Sequence, residues 1–320
     1  MDHTNRFAFL FPGQGAQYVG MGKDFYDSFP QARTVFEQAD DILHTHLSHL
    51  IFTGDEKVLT ETKNSQPAIF VTCWAIFSTF KSLFPELSCF ATAGLSLGEY
   101  TALCAANALP FEEALLLVQK RGALMHEACE NHPGTMAVLL GLSDEEVCDI
   151  VRAVNLPRDL WAANFNAPGQ VVISGTKKGI EKGIEEVQRR GNTRVLPLQV
   201  HGAFHSGLMD DAKAQLEPFI LKANFKNPMC HVFMNTTAKS TSAPEEIKKL
   251  LIRQVTEPVL WAESIRNIDA MSVLNFIEIG CGKTLSGLNK RIGPKAQTLR
   301  IEKIEDLKTF ENHLNEVGVS

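Results

Sequence analysis

Residues 94–98 read Gly-Leu-Ser-Leu-Gly, a G-x-S-x-G pentad with Ser96 at its centre as the candidate nucleophile. In a nucleophile elbow the serine sits on a strained turn from strand to helix, and the flanking glycines let the backbone close without a Cβ clash. Such a serine needs a base to take its proton, and N–H donors where negative charge develops on the acyl carbonyl. The elbow itself offers the N–H of Leu97. A second residue of chemical interest is Arg121, which falls on the apolar stripe Ala114, Leu117, Val118, Leu124 and Met125 of a helix expected over 110–129. A guanidinium on a buried face must find an anion, and its planar fork matches a carboxylate. The alternative is an arginine that snorkels or pairs with a structural acid.

The elements around these residues fit the chemistry. Residues 89–93 are a short uncharged run suited to a buried strand, and 97–108 form an alanine-rich helix with Glu99 in its first turn. Residues 7–11 predict another strand, leading into Pro12-Gly13-Gln14-Gly15-Ala16-Gln17 and a helix over 18–25. Strand, glycine turn and helix invite a nucleotide reading, which the spacing refuses: Tyr18 stands where a dinucleotide fingerprint needs its third glycine, and Gln17 and Asp24 break a P-loop. The turn is left able to present backbone N–H groups and the Gln14 and Gln17 amides, or to be a plain tight turn. In a parallel sheet it lies at the same carboxyl edge as the elbow, which makes Gln14 a candidate for the second N–H donor.

Helices are expected over 31–52 and over 67–84, the second with Ser65 as N-cap and Pro67 in its first turn. Of His44, His46 and His49 only the last two share a face, with no ligand to complete a metal set. Between residues 131 and 198 the texture changes to strand 136–140, helix 144–155, strands 160–166 and 170–175, helix 176–190 and strand 194–198. That βαββαβ order predicts a ferredoxin-like subdomain inserted into the first fold. His201 and His205 stand four apart, but Gly202 and the missing glutamate make a zinc pair a weak reading. A helix over 210–223, strand 230–235, helix 244–254, strand 273–279 and a last helix over 284–291 resume the alternation. The fold class expected is α/β: an α/β-hydrolase-like parallel-sheet core of residues 1–130 and 199–320, with 131–198 as the small subdomain.

Composition sets the outer bounds. The 320 residues carry a net charge of −6, which argues against nucleic acid as partner because phosphate recognition needs a concentrated basic field. Seven scattered cysteines without a C-x-x-C pair fit reduced thiols in a cytoplasmic protein. The polar start and the short longest apolar run, 68–80, predict neither a signal peptide nor a membrane span.

Seven motifs line up in order along nearly the whole chain: Phe-Pro-Gly-Gln-Gly-Ala-Gln (11–17), Gly-Leu-Ser-Leu-Gly-Glu-Tyr (94–100), Gln-Lys-Arg-Gly (119–122), Asn-Phe-Asn-Ala-Pro-Gly-Gln-Val-Val-Ile-Ser-Gly (164–175), Gly-Ala-Phe-His-Ser (202–206), Gln-Val-Thr-Glu-Pro-Val-Leu-Trp (254–261) and Glu-Ile-Gly-Cys-Gly-Lys-Thr-Leu (278–285). Together they resemble the malonyl-CoA:acyl carrier protein transacylase family of type II fatty acid synthesis. The resemblance implies a Ser-His dyad of Ser96 and His205, Arg121 as clamp for the malonyl carboxylate, and backbone N–H groups of Gln14 and Leu97 as oxyanion hole. It also implies that the Gln254 backbone carbonyl orients His205 in place of a triad acid, and that Phe204 with Arg121 selects malonyl over α-methylated groups. Malonyl-CoA and acyl carrier protein are the implied partners, with no cofactor, no metal and a monomeric state. The family's usual pentad is Gly-His-Ser-Leu-Gly; Leu95 departs from it, which changes the packing beneath the elbow and leaves the base untouched. Carrier protein is acidic, so Arg189, Arg190 and Arg194 are weak candidates for a basic lip, a solvated helix end being the favoured reading.

Two rival readings remain. A serine hydrolase would need an acid on His205 from the interval that the small subdomain mostly fills. A non-catalytic docking module would have no use for Ser96, Arg121 and His205 together.

Overall fold

All five residues of the first strand, β1 (Phe7–Phe11), are buried. Phe7, Phe9 and Phe11 enter one core and Ala8 and Leu10 another, so the continuous apolar run reflects a strand covered on both faces. The computed structural model describes residues 6–191, 194–200 and 202–318. Nine more strands follow in chain order among the described residues: β2 (Cys89–Gly94), β3 (Thr135–Leu140), β4 (Leu160–Ala167), β5 (Gln170–Gly175), β6 (Arg194–Pro197), β7 (His231–Met234), β8 (Lys239–Thr241), β9 (Asn275–Ile279) and β10 (Gln297–Ile301). They form two sheets. The larger has the order β10-β9-β1-β2-β7-β8 and is parallel except for the β7–β8 pair. Because Phe11 pairs with Gly94, the loops after β1 and β2 leave the sheet side by side at its carboxyl edge.

The smaller sheet has the order β4-β5-β3-β6 and is antiparallel throughout. With helices Asp144–Val154 and Lys177–Arg190 it completes the ferredoxin-like βαββαβ pattern. Val147 and Ile150 of the first helix and Ile180 and Val187 of the second close a separate apolar core over Leu139 and Ile173. The two sheets are stitched through residue 259: Phe165 donates its N–H to the Val259 carbonyl at 2.9 Å, and Val259 donates to the Ala163 carbonyl at 2.9 Å.

Four expectations need correction. The helix expected over 67–84 starts earlier, at Thr62–Leu83, with Pro67 inside it and Ser65 buried instead of capping. The helix expected over 31–52 breaks after Pro30–Leu43, where His44 caps it in the left-handed region (φ 51°), and resumes as Leu47–Thr53. The helix expected over 18–25 is a turn followed by Lys23–Ser28. The helix over 284–291 is not the last, since the edge strand β10 and helix Ile304–Val317 follow. The terminal helix buries Leu307, Phe310 and Leu314, a spacing of three and four that marks one apolar face.

Helices Thr62–Leu83 and Phe111–Asn131 bear directly on the site. They pass closely at Gly122, where a Cβ would stand 3.0 Å from the Thr62 carbonyl oxygen. That approach brings Gln66 of one helix to Arg121 of the other.

Candidate active site

β2 ends at Gly94, Ser96 turns with φ 51°, and helix Gly98–Ala105 begins two residues later. A Cβ on Gly94 would lie 1.9 Å from the Gly98 carbonyl carbon, and one on Gly98 would lie 2.2 Å from the Phe11 carbonyl oxygen. Both glycines of the pentad are therefore demanded by backbone approach. Positive φ is costly for serine, and two groups hold the turn. Leu95 donates its N–H to the Phe11 carbonyl at 3.0 Å. The Asn235 side chain accepts from the Ser96 N–H at 2.7 Å and donates to the Gly94 carbonyl at 2.7 Å.

His205 lies opposite, also in the left-handed region (φ 55°) and 3% exposed. Its Nε2 is 2.9 Å from Ser96 Oγ. Its Nδ1 lies 2.8 Å from the Gln254 carbonyl oxygen and 3.2 Å from that of Glu257. Two carbonyl acceptors require the proton on Nδ1, which leaves the Nε2 lone pair to accept the serine hydroxyl. Burial and then the charge of Arg121 lower the His205 pKa to about 4, against the opposing pull of the two carbonyls. The imidazole is neutral at any ordinary pH and ready to act as a base.

Arg121 is 1% exposed. Its NH2 donates to Ser96 Oγ at 3.0 Å and to Gln254 Oε1 at 2.9 Å, and its NH1 donates to Gln66 Oε1 at 2.8 Å. These partners are all neutral oxygens. Burial lowers its pKa, opposed by Tyr100, over whose ring the guanidinium sits at 5.8 Å, and by Glu99. A dry cation ringed by neutral acceptors is a receptor for an anion.

The loop after β1 packs against the elbow, so closely that a Cβ on Gly13 would lie 2.3 Å from the Leu95 carbonyl oxygen. The Gln14 amide is turned away to Thr62 Oγ1 at 3.2 Å and Gln66 at 3.4 Å. Among the described residues, the N–H groups of Gln14 and Leu97 donate to no protein acceptor. Gln14 also lines a cavity of about 760 Å³ with Gln17, Thr62, His126, Cys129 and Val200. Phe204 is buried in the main core beside His205.

Two buried polar groups at the elbow escaped the sequence reading. Asn235 sits just past β7, and Glu99 is fully buried although its place in a first helical turn suggested only dipole compensation. Glu99 Oε1 accepts from the Asn235 backbone N–H and Oε2 from Gln254 Nε2, at 2.5 and 2.8 Å. Burial pushes its carboxyl up, while these donors and Arg121 pull it back, and a donor at each oxygen is the pattern that the ionised carboxylate accepts. A glutamate three residues after an elbow serine was the available signal.

Other candidates fall elsewhere. Arg189 and Arg190 both pair with Glu186 on their own helix, and Arg194 is exposed at the start of β6. The helix break sets His44 apart from His46 and His49, and no group of three His, Cys, Asp or Glu able to hold a metal occurs among the described residues. His201, half of the weak zinc pair, lies outside the described residues.

A family model described as an acyl transferase domain matches residues 8–292. The malonyl CoA-acyl carrier protein transacylase of Bacillus subtilis is 42% identical over 98% of each chain. The solved structure of the malonyl CoA-acyl carrier protein transacylase from Clostridium perfringens superposes with a TM-score of 0.93 at 36% identity, covering 98% of each chain. A malonyl-transacylase solved with a type II PKS acyl-carrier protein superposes with a TM-score of 0.90 at 35% identity, over 96% of this chain and 99% of that one. On these matches over nearly its whole length, the chain belongs to the malonyl CoA-acyl carrier protein transacylase family of acyl transferases.

Proposed function

We propose that this chain is a malonyl-CoA:acyl carrier protein S-malonyltransferase of fatty acid synthesis, working through a malonyl-serine at Ser96. The observation that carries the reading is that Ser96 Oγ lies 2.9 Å from His205 Nε2 and 3.0 Å from Arg121 NH2, which sets a base and a carboxylate receptor each within one hydrogen bond of the nucleophile.

Ser96 Oγ attacks the thioester carbonyl as His205 Nε2 takes its proton, and the oxyanion accepts from the N–H groups of Gln14 and Leu97. Collapse breaks the C–S bond and His205 returns the proton to the departing thiolate of coenzyme A. The phosphopantetheine thiol of acyl carrier protein then gives its proton to His205 and attacks the malonyl-serine carbonyl; the C–Oγ bond breaks and His205 returns the proton to Ser96 Oγ. Arg121 pairs with the free carboxylate and discriminates against acetyl, which would leave the guanidinium unpaired. The Gln254 carbonyl holds the imidazole, and Phe204 beside it leaves little room for an α-methyl group.

The rest of the reading is of the same kind. Residues 1–130 and 199–320 act as the catalytic body and 131–198 as the small one, supported by their separate sheets and by the small body's own apolar core beneath its two helices. The protein works as a cytoplasmic monomer with no cofactor. Free thiols at all seven cysteines support that compartment, and no helix among the described residues is long and apolar enough to cross a membrane.

The test is to mix the protein with labelled malonyl-CoA, quench in acid and locate the label. An adduct on Ser96 that passes to carrier protein is expected. Free malonate as the main product would make the enzyme a hydrolase, and no adduct would overturn both readings.

A further inference from the structure

Glu99 takes no part in the steps above, yet it is fully buried three residues from the nucleophile. Both its oxygens accept: Oε1 from the Asn235 N–H and Oε2 from Gln254 Nε2. The same amide nitrogen donates to the Ser96 carbonyl at 2.8 Å. With two acceptors before its NH2 group, the Gln254 amide has one orientation. A flip would set its oxygen against those two oxygens and its N–H bonds against the Arg121 guanidinium. In the orientation that Glu99 enforces, Gln254 Oε1 accepts from Arg121 NH2, the nitrogen that also reaches Ser96 Oγ. Carboxylate, amide, guanidinium and nucleophile form one chain in which each donor has a fixed direction.

We propose that Glu99 is the positioning residue of the carboxylate clamp: through the Gln254 amide it aims the Arg121 guanidinium, and so sets the preference for an acyl group that ends in a carboxylate. The inference rests on the assignment of Arg121 to the malonyl carboxylate.

Glu99→Gln tests it in the full chain. The substitution is nearly isosteric but must turn an NH2 group toward either the Asn235 N–H or the Gln254 NH2, so one donor loses its acceptor. Ser96 acylation is followed by intact mass with malonyl-CoA and with acetyl-CoA. The ratio of malonyl to acetyl kcat/KM is expected to fall roughly tenfold to hundredfold, the loss of one hydrogen bond to a charged group. Gln254→Met keeps the carbonyl that holds His205 and removes the amide. It is expected to lower the ratio as far, and the double variant no further than Gln254→Met alone. Equal losses with both donors would leave Glu99 a merely structural residue, and multiplying losses in the double variant would show that it does not act through Gln254. Either result overturns the inference. Should Glu99→Gln fail to fold, an unchanged ratio in Gln254→Met overturns it alone. Absence of malonyl loading in the unsubstituted enzyme would sink the functional reading itself, which is a separate outcome.

Discussion

Replacing Arg121 by methionine separates what the guanidinium does for substrate from what it does for the fold. The side chain is 1% exposed, holds three neutral oxygens and leaves its Nε without a protein partner among the described residues. A cation this dry, with no carboxylate bonded to it, weighs against the folded state. Removing it relieves that desolvation but leaves Gln66 Oε1 and Gln254 Oε1 without their donor, each worth about 1–3 kcal/mol when buried, so the two effects oppose and the Tm of Arg121→Met is expected to stay near that of the parent. Methionine cannot pair with the malonyl carboxylate, and a buried charge left without its partner costs about 2–5 kcal/mol. At about 1.4 kcal/mol per tenfold, kcat/KM for malonyl loading should fall by roughly 30-fold to several thousandfold. Acetyl carries no carboxylate and should lose far less. Thermal denaturation and the mass of acid-quenched enzyme after malonyl-CoA or acetyl-CoA read both effects. A lowered Tm with equal losses for the two donors would refute the reasoning, because the guanidinium would then be holding the elbow and not the substrate.

Four further outcomes follow from the geometry. The acid limb of malonyl loading should lie near pH 4, where His205 takes up a proton, and an inflection at its ordinary 6.5 would mean that the imidazole is far wetter than its burial implies. The same shift has a stability sign: below 6.5 the unfolded chain binds a proton that the folded imidazole refuses, so this contribution is complete above pH 6.5 and is lost as pH falls toward 4, measurable as Tm against pH. Asn235→Ala leaves the Ser96 N–H and the Gly94 carbonyl without partners, each worth about 1–3 kcal/mol when buried, and should lower Tm and slow Ser96 acylation together; an unchanged Tm would show that the elbow holds its own shape. Gly94→Ala sets a Cβ 1.9 Å from backbone at Gly98 and should abolish soluble folded protein, and recovery at the parent Tm would contradict the closeness of that turn.

What could be read in advance divides along physical lines. β1 and β2 are apolar on both faces, and the pentad glycines are required by contacts within a few residues, so local pattern was enough for them. β10 was missed because Gln-Thr-Leu-Arg-Ile at a sheet edge needs little hydrophobicity, and the break at His44 because a residue in the left-handed region need not be glycine. Arg121 was visible because a charge on an apolar stripe violates a pattern. Glu99 violates none: an acid in a first helical turn is ordinary, and only the meeting of residues 99, 235 and 254 from three distant parts of the chain makes it a buried acceptor. His205 and the Gln254 carbonyl have no local signature either, and entered through resemblance to a family.

The partition between transfer and hydrolysis turns on what stands behind His205. Its Nδ1 faces the carbonyls of Gln254 and Glu257, which fix the tautomer as a triad acid would but bring no negative charge to stabilise an imidazolium. Arg121 adds a repelling charge, and the base is weak. An incoming acceptor must therefore give up its proton largely on its own acidity. A free thiol, with a pKa of about 8.5, does so far more readily than water, at about 15.7. A base lacking its carboxylate therefore leaves the malonyl-serine waiting for a thiol.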